Sequence, residues 1–208
     1  KETNPEEKFA TLGQGYKILE TSFKPYASCR HTHSTIDASL KLREDYGTPG
    51  REVEKIIVQI YEVATQKAKH NKSYKEPRAA RFSLAFCTAA ALYYGEVTPH
   101  IFTPEYMENK ALLDLAAKVE IRVDDEFTQR YPEEWPSRVT LCTDSGKQYT
   151  ETVYFPKGDP MTPFVDQDFE RKFLNLSKGA LGEKESLLLL GRCRALEDME
   201  NITELFSF

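Results

Sequence analysis

The residues best equipped for chemistry lie in one short run, Lys24 to His33, which reads KPYASCRHTH. Lys24, Arg30, His31 and His33 can each carry or donate positive charge, in a chain whose formal net charge is −5. The run precedes a predicted helix start, whose free N–H groups also favour an anion. Such donors suit a carboxylate ligand, because binding it and stabilising an enolate-like intermediate both require focused positive charge. Moving a proton at the adjacent carbon further needs a base tuned toward neutrality, for which histidine or a desolvated lysine is suited. The plain alternative is a solvated turn with ordinary surface charges. A metal reading stands beside both. In an extended segment Cys29, His31 and His33 would point the same way, and all three types bind zinc. The spacing fits no common zinc motif and no second cluster supplies more ligands, so no metal is expected.

A second basic stretch, Lys67 to Arg81, carries Lys67, Lys69, His70, Lys72, Lys75, Arg78 and Arg81 around Tyr74. It reads either as a basic lip for an anionic ligand or as a solvated loop. Cys87, Cys142 and Cys193 read as packing residues. Asp124, Asp125 and Glu126 lack the spacing of a calcium loop. No glycine-rich phosphate loop, nucleophile elbow or Ser-His-Asp arrangement is present.

The negative balance supplies no global field for nucleic acid or anionic lipid, so neither is an expected partner. The longest apolar run, Leu187 to Leu190, falls far short of the roughly 20 residues that cross a bilayer. The four cysteines are irregularly spaced without a CxxC pair, which points to free thiols in a reducing cytosol. Lys1 and the charged opening KETNPEEKF do not begin as a signal or transit peptide does. A trimmed chain, a processed product and a piece of something longer all remain open.

The elements that must position these groups follow from patterning. Tyr16 to Phe23 predicts a short strand. A helix is expected from about Ser34 to Tyr46, stopped by Gly47. Val53 to Val63 predicts a strand, and Ala79 to Tyr94 one long helix capped at Gly95. Thr103-Pro104 and Asn109 each signal a helix start. Val119 to Val123 alternates as a strand, and Asp144-Ser145-Gly146 joins two further strands as a hairpin. Pro156 to Pro163, PKGDPMTP, predicts a rigid extended linker, after which the pattern is helical. The expected fold is α+β: an antiparallel sheet with packed helices, followed by C-terminal helices.

The run KPYASCRHTHSTIDASLKLR resembles the segment that opens the smaller domain of the MmgE/PrpD family. That family includes 2-methylcitrate dehydratase, cis-aconitate decarboxylase and iminodisuccinate epimerase. The likeness continues in order through RFSLAFCTAAALYYGEVTPHIFT, RVTLCTDSGKQYTETVYFPKGDPMTP, DFERKF and LEDMENITEL. The resemblance implies a linker or the end of a preceding helical domain over residues 1–14, the smaller α+β domain over 15–160, and over 161–208 helices that return to a larger all-helical domain. It also implies that a helical N-terminal half, which supplies further active-site groups, is missing here. Lys24 matches the family lysine that reaches the substrate, and His33 the histidine that opens the next helix, and these two are the catalytic candidates. Cys29, Arg30, His31, Tyr74, Arg81 and Ser83 are the substrate-binding candidates. Cys29 stands five positions after Lys24, where the decarboxylase branch has a histidine, which argues against assuming decarboxylation. The implied activity is that of a lyase or isomerase of a small di- or tricarboxylate, in a cytoplasmic homodimer that needs no cofactor. The alternative is a non-catalytic anion-binding or assembly module of the same fold.

Overall fold

A computed structural model describes residue 6, residues 9–10, 12–50, 52–68 and 74–207. Helix α1, His33–Tyr46, buries Ile36, Ala38 and Leu42 and stops at Gly47, whose φ of 94° few other residues adopt. Strand β1, Val53–Ile60, then enters the centre of a four-stranded sheet, with Ile56, Val58 and Ile60 buried on one face. Helices α2, Glu62–Lys67, and α3, Pro77–Arg81, lead to α4, Leu84–Tyr94, which is buried over most of its length. Short α5, Pro104–Met107, and α6, Lys110–Ala117, return the chain to the sheet. There follow β2, Val119–Val123, α7, Asp125–Arg130, β3, Ser137–Thr143, and β4, Gln148–Val153. Helices α8, Asp166–Leu181, and α9, Glu183–Arg194, pack against each other at the end.

The fold is α+β, with strand order β2-β1-β3-β4. The sheet departs from the purely antiparallel expectation at one edge. β1 and β2 run parallel, with Ile56 beside Val119, whereas β1–β3 and β3–β4 are antiparallel. The chain between β1 and β2 includes α4 and α6, long enough for the crossover that parallel strands need. α1 packs on β3 and β4, and α4 on β2, burying one face of the sheet. The opposite face carries ion pairs, Lys55–Glu120 at 3.0 Å and Arg122–Glu120 at 2.7 Å, which explains the polar alternation along β1 and β2.

Four local expectations are corrected. Tyr16 to Phe23 forms no strand. It makes a 3-10 turn at Lys17–Glu20, and no strand among the described residues pairs with it. The long helix from Ala79 is two helices, broken at Phe82 and Ser83. Ser83 is extended, and its Oγ accepts the Phe86 N–H at 3.1 Å as the cap of α4. The strand expected over Val53 to Val63 ends at Ile60, and Glu62 and Val63 begin α2 instead. Pro156 to Pro163 is compact rather than extended. Asp159 N–H donates to Pro156 O (3.0 Å), and Gly158 N–H to Thr162 O (2.8 Å). Gly158, at φ 83°, lies so close to the Phe23 carbonyl that any Cβ there would collide with backbone.

All four cysteines are unpaired. Among the described residues no helix is long and apolar enough to cross a membrane.

Candidate functional site

The run from Lys24 into α1 is folded tightly. Arg30–Thr32 makes a 3-10 turn, closed by Thr32 N–H on the Cys29 carbonyl at 2.9 Å. Cys29 N–H donates to the Arg81 carbonyl, also at 2.9 Å, which lays this run against the break between α3 and α4. Because a turn leads directly into a helix, Cys29, His31 and His33 diverge. The shared direction expected of an extended segment is lost.

At the centre is the Ser28 carbonyl. It accepts from Lys24 Nζ and from His33 Nε2, each at 3.4 Å. His33 has 0% of its surface exposed and packs edge-on against Tyr26, with ring centroids 5.2 Å apart. Its Nδ1 is buried without a partner among the described residues. Burial, reinforced first by Arg30 and then by Lys24 and Lys172, pushes its pKa down to about 3. The ring is therefore neutral at pH 7, and it marks the place where three cationic fields converge.

A stability consequence follows. The unfolded histidine takes a proton near pH 6.5, while the folded one resists until about pH 3. Between those values the unfolded state binds more protons, so the contribution is complete above pH 6.5 and is lost as pH falls through the window. At pH 4.5 the loss is about 2–3 kcal/mol. Asp37, whose pKa burial raises against the pull of its bonds to Tyr26 and Lys157, changes stability in the opposite sense and blunts the slope. Melting temperature followed from pH 7 to pH 4.5 should fall steeply in the wild type and clearly less in His33→Asn. Parallel profiles would contradict the neutral, buried assignment.

Arg30 is held by groups distant in sequence. Nη2 reaches Asp159 Oδ2 at 3.0 Å and Ser22 Oγ at 3.3 Å, and the guanidinium lies 5.6 Å from the Trp135 ring centroid. Only 14% of the Arg30 side chain and 13% of the Asp159 side chain are exposed. Burial lowers the Arg30 pKa and Asp159 opposes it, so the guanidinium stays charged. Nη1 remains buried without a partner among the described residues. His31 faces an aromatic group: its Nδ1 lies 2.7 Å from the Tyr61 hydroxyl, and its ring 5.1 Å from Trp135. Burial, and secondarily Lys67, lowers the His31 pKa.

The other expected residues form a neighbouring group. Arg81 lies over Phe102 at 5.1 Å, with Nε buried and unpartnered among the described residues. Ser83 is fully buried as the α4 cap, and its Oγ lies 3.5 Å from the Tyr74 hydroxyl. Tyr74 lines a separate cleft of ≈ 340 Å³. Cys87, one turn into α4, is a buried thiol pushed up to about 12 by burial, in keeping with a packing role. Lys69, His70 and Lys72 lie outside the described residues. The structure therefore joins Lys24 and His33 through the Ser28 carbonyl, turns Arg30 toward Asp159, brings Cys29 to Arg81 through the backbone, and sets Tyr74 and Ser83 further along.

Two clefts open beside Tyr26. One of ≈ 250 Å³ is lined by Lys24, Ala27, Thr98, Lys172 and Asn175 among others. A larger one of ≈ 490 Å³, which shares Lys172 and Asn175 with the first, carries Arg43, Lys157 and Arg171 as well, but also Glu44, Glu96 and Asp168. Its charges largely cancel. Asp168 pairs with both Lys157 (2.7 Å) and Arg171 (2.5 Å). We place the site at the smaller cleft because it adjoins Lys24. Sequence reasoning did not single out Lys172, Asp159, Tyr61 or Trp135. The partners of Arg30 and Lys24 lie up to 148 residues away, a separation that no local pattern signals.

The class of protein is thus an α+β domain with basic residues at the first turn of a buried helix and a helical pair at its side. The profile of the MmgE/PrpD C-terminal domain matches residues 26–195, and the chain belongs to the MmgE/PrpD family. It is similar to the cis-aconitate decarboxylase-like protein oryM of Aspergillus oryzae, at 24% identity over 216 residues. That similarity covers 98% of this chain and 43% of the relative, so the chain spans less than half of that protein's length.

Proposed function

We propose that this chain is the C-terminal part of a lyase or isomerase that moves a proton at a carbon beside a carboxylate in a small di- or tricarboxylate. The supporting observation is that Lys24, tied to the buried His33 through the Ser28 carbonyl, and Lys172 line one small cleft whose lining includes no acidic residue. Focused positive charge of this kind stabilises an enolate-like intermediate, in which the abstracted proton leaves its electrons delocalised onto the carboxylate. In this reading Lys24 meets the substrate and takes part in proton transfer or enolate stabilisation. Arg30, paired with Asp159, holds the run that carries Lys24 in place, and His33 fixes Lys24 through the Ser28 carbonyl. Cys29, His31, Tyr74 and Arg81 shape the surrounding wall, and Ser83 supports it from within α4. The remaining wall comes from a helical N-terminal half of the same protein, which works as a cytoplasmic homodimer. The family and the name of the fungal relative favour lyase-type chemistry. Cys29 stands where the decarboxylase branch is expected to have histidine, which favours dehydration or epimerisation.

The test is a screen of the full-length protein against methylcitrate, cis-aconitate, citrate and iminodisuccinate. Product formation and deuterium uptake from heavy water are both read by NMR. Turnover or exchange is expected on at least one of them. Neither turnover, exchange nor binding on any of the four would dismiss the enzyme reading.

A further inference from the structure

The smaller cleft is built from two distant parts of the chain. Lys24, Pro25, Tyr26 and Ala27 form one side, and α8 supplies Lys172, Asn175 and Leu176 on the other. Lys172 is half-buried, and its Nζ donates to the Lys24 carbonyl at 2.6 Å. The ammonium on α8 is therefore fixed beside the backbone of the residue that carries the other ammonium. An ammonium has three donor hydrogens, and this bond uses one. Neither Lys24 nor Lys172 has a carboxylate partner among the described residues, in contrast to the paired Lys157 and Arg171 nearby. Two like charges held against one small cleft repel each other, and an anion between them relieves that repulsion. The Asn175 side chain adds an amide that can donate to the same anion.

We propose that Lys172 and Asn175 on α8 form a carboxylate subsite beside Lys24, which binds a second substrate carboxylate while Lys24 serves the reacting carbon, and so selects substrates that carry it. The inference rests on the carboxylate-enzyme reading above and adds to it a substrate contact from the C-terminal helices. Those helices thereby become part of the pocket as well as a packing surface. Lys172 binds; it transfers no proton.

The test uses the full-length protein, with citrate as a tricarboxylate probe and acetate as a control. Lys172→Gln keeps a donor for the Lys24 carbonyl and removes the charge, while Lys172→Arg keeps the charge. For Lys172→Gln, citrate Kd by calorimetry and KM for the best substrate of the screen should rise about 10- to 100-fold, with kcat changing much less. Acetate binding should hardly move, and Lys172→Arg should recover most of the affinity. Unchanged citrate Kd and KM in Lys172→Gln would overturn the subsite while leaving the enzyme reading intact. A fall in kcat alone would overturn it too, since Lys172 would then act only through Lys24. A wild type that binds no carboxylate at all would overturn both.

Discussion

Lys24→Ala is expected to lower kcat/KM by about 10³-fold or more while leaving the fold in place. Removing one preorganised donor from a developing oxyanion costs about 10²–10³ in rate, and removing a group that also moves the proton costs about 10²–10⁴. Lys24 is exposed, and its contact with the Ser28 carbonyl is long at 3.4 Å, so little stability depends on it. The melting temperature should accordingly stay close to that of the wild type. Lys24→Arg separates the two roles. It retains positive charge but cannot exchange a proton near neutrality, so substrate affinity should largely survive and turnover should not. Steady-state kinetics on the substrate found by the screen, with binding measured in parallel, checks both variants. Wild-type turnover by Lys24→Ala would remove the residue from the mechanism.

The second large effect is on stability. Asp159→Asn strips the buried Arg30 guanidinium of its paired anion, leaving Ser22 and the Trp135 ring as its remaining contacts among the described residues. Breaking a buried pair by removing one partner costs about 3–5 kcal/mol, and the 13–14% exposure that remains here reduces that to about 2–4 kcal/mol. Asp159 also anchors the compact Pro156 to Pro163 turn, whose Gly158 carbonyl receives the Phe23 N–H at 2.8 Å. Loss of the ion pair should therefore loosen the stretch leading into Lys24 and weaken carboxylate binding. The double variant Arg30→Met/Asp159→Leu buries no lone charge. It should recover much of the lost stability in denaturant titration and none of the binding. If Asp159→Asn unfolds at the wild-type denaturant midpoint, the pair is not anchoring the site.

The contrast between Lys24 and Arg30 shows how far the sequence could reach. Lys24, Arg30, His31 and His33 stood out because four cationic or proton-active side chains crowd ten residues of an acidic chain. Crowding in sequence does not say which of them meets solvent. His33 proves to be core, Arg30 an internal ion pair and His31 a neighbour of aromatic rings, while Lys24 alone of the four is exposed. Secondary structure followed the same division. The β3–β4 hairpin, α6 behind Asn109 and the stop of α4 at Gly95 were all legible, because turn and cap chemistry acts within a few residues. The break at Ser83 was masked by an apolar stripe running through it. Tyr16 to Phe23 had the composition of a strand, but no strand among the described residues pairs with it.

Side-chain type, short-range periodicity and capping belong to the chain itself, and they determined the α+β class, the helical C-terminal stretch and the location of the cationic run. Only tertiary structure decided that β2 lies parallel to β1, that Asp159 neutralises Arg30, that Lys172 comes to the Lys24 backbone, and that His33 stays uncharged. The physical reason is that pairing, desolvation and field strength depend on which groups meet across space. In this protein the partners that set the site are drawn from the opposite end of the chain.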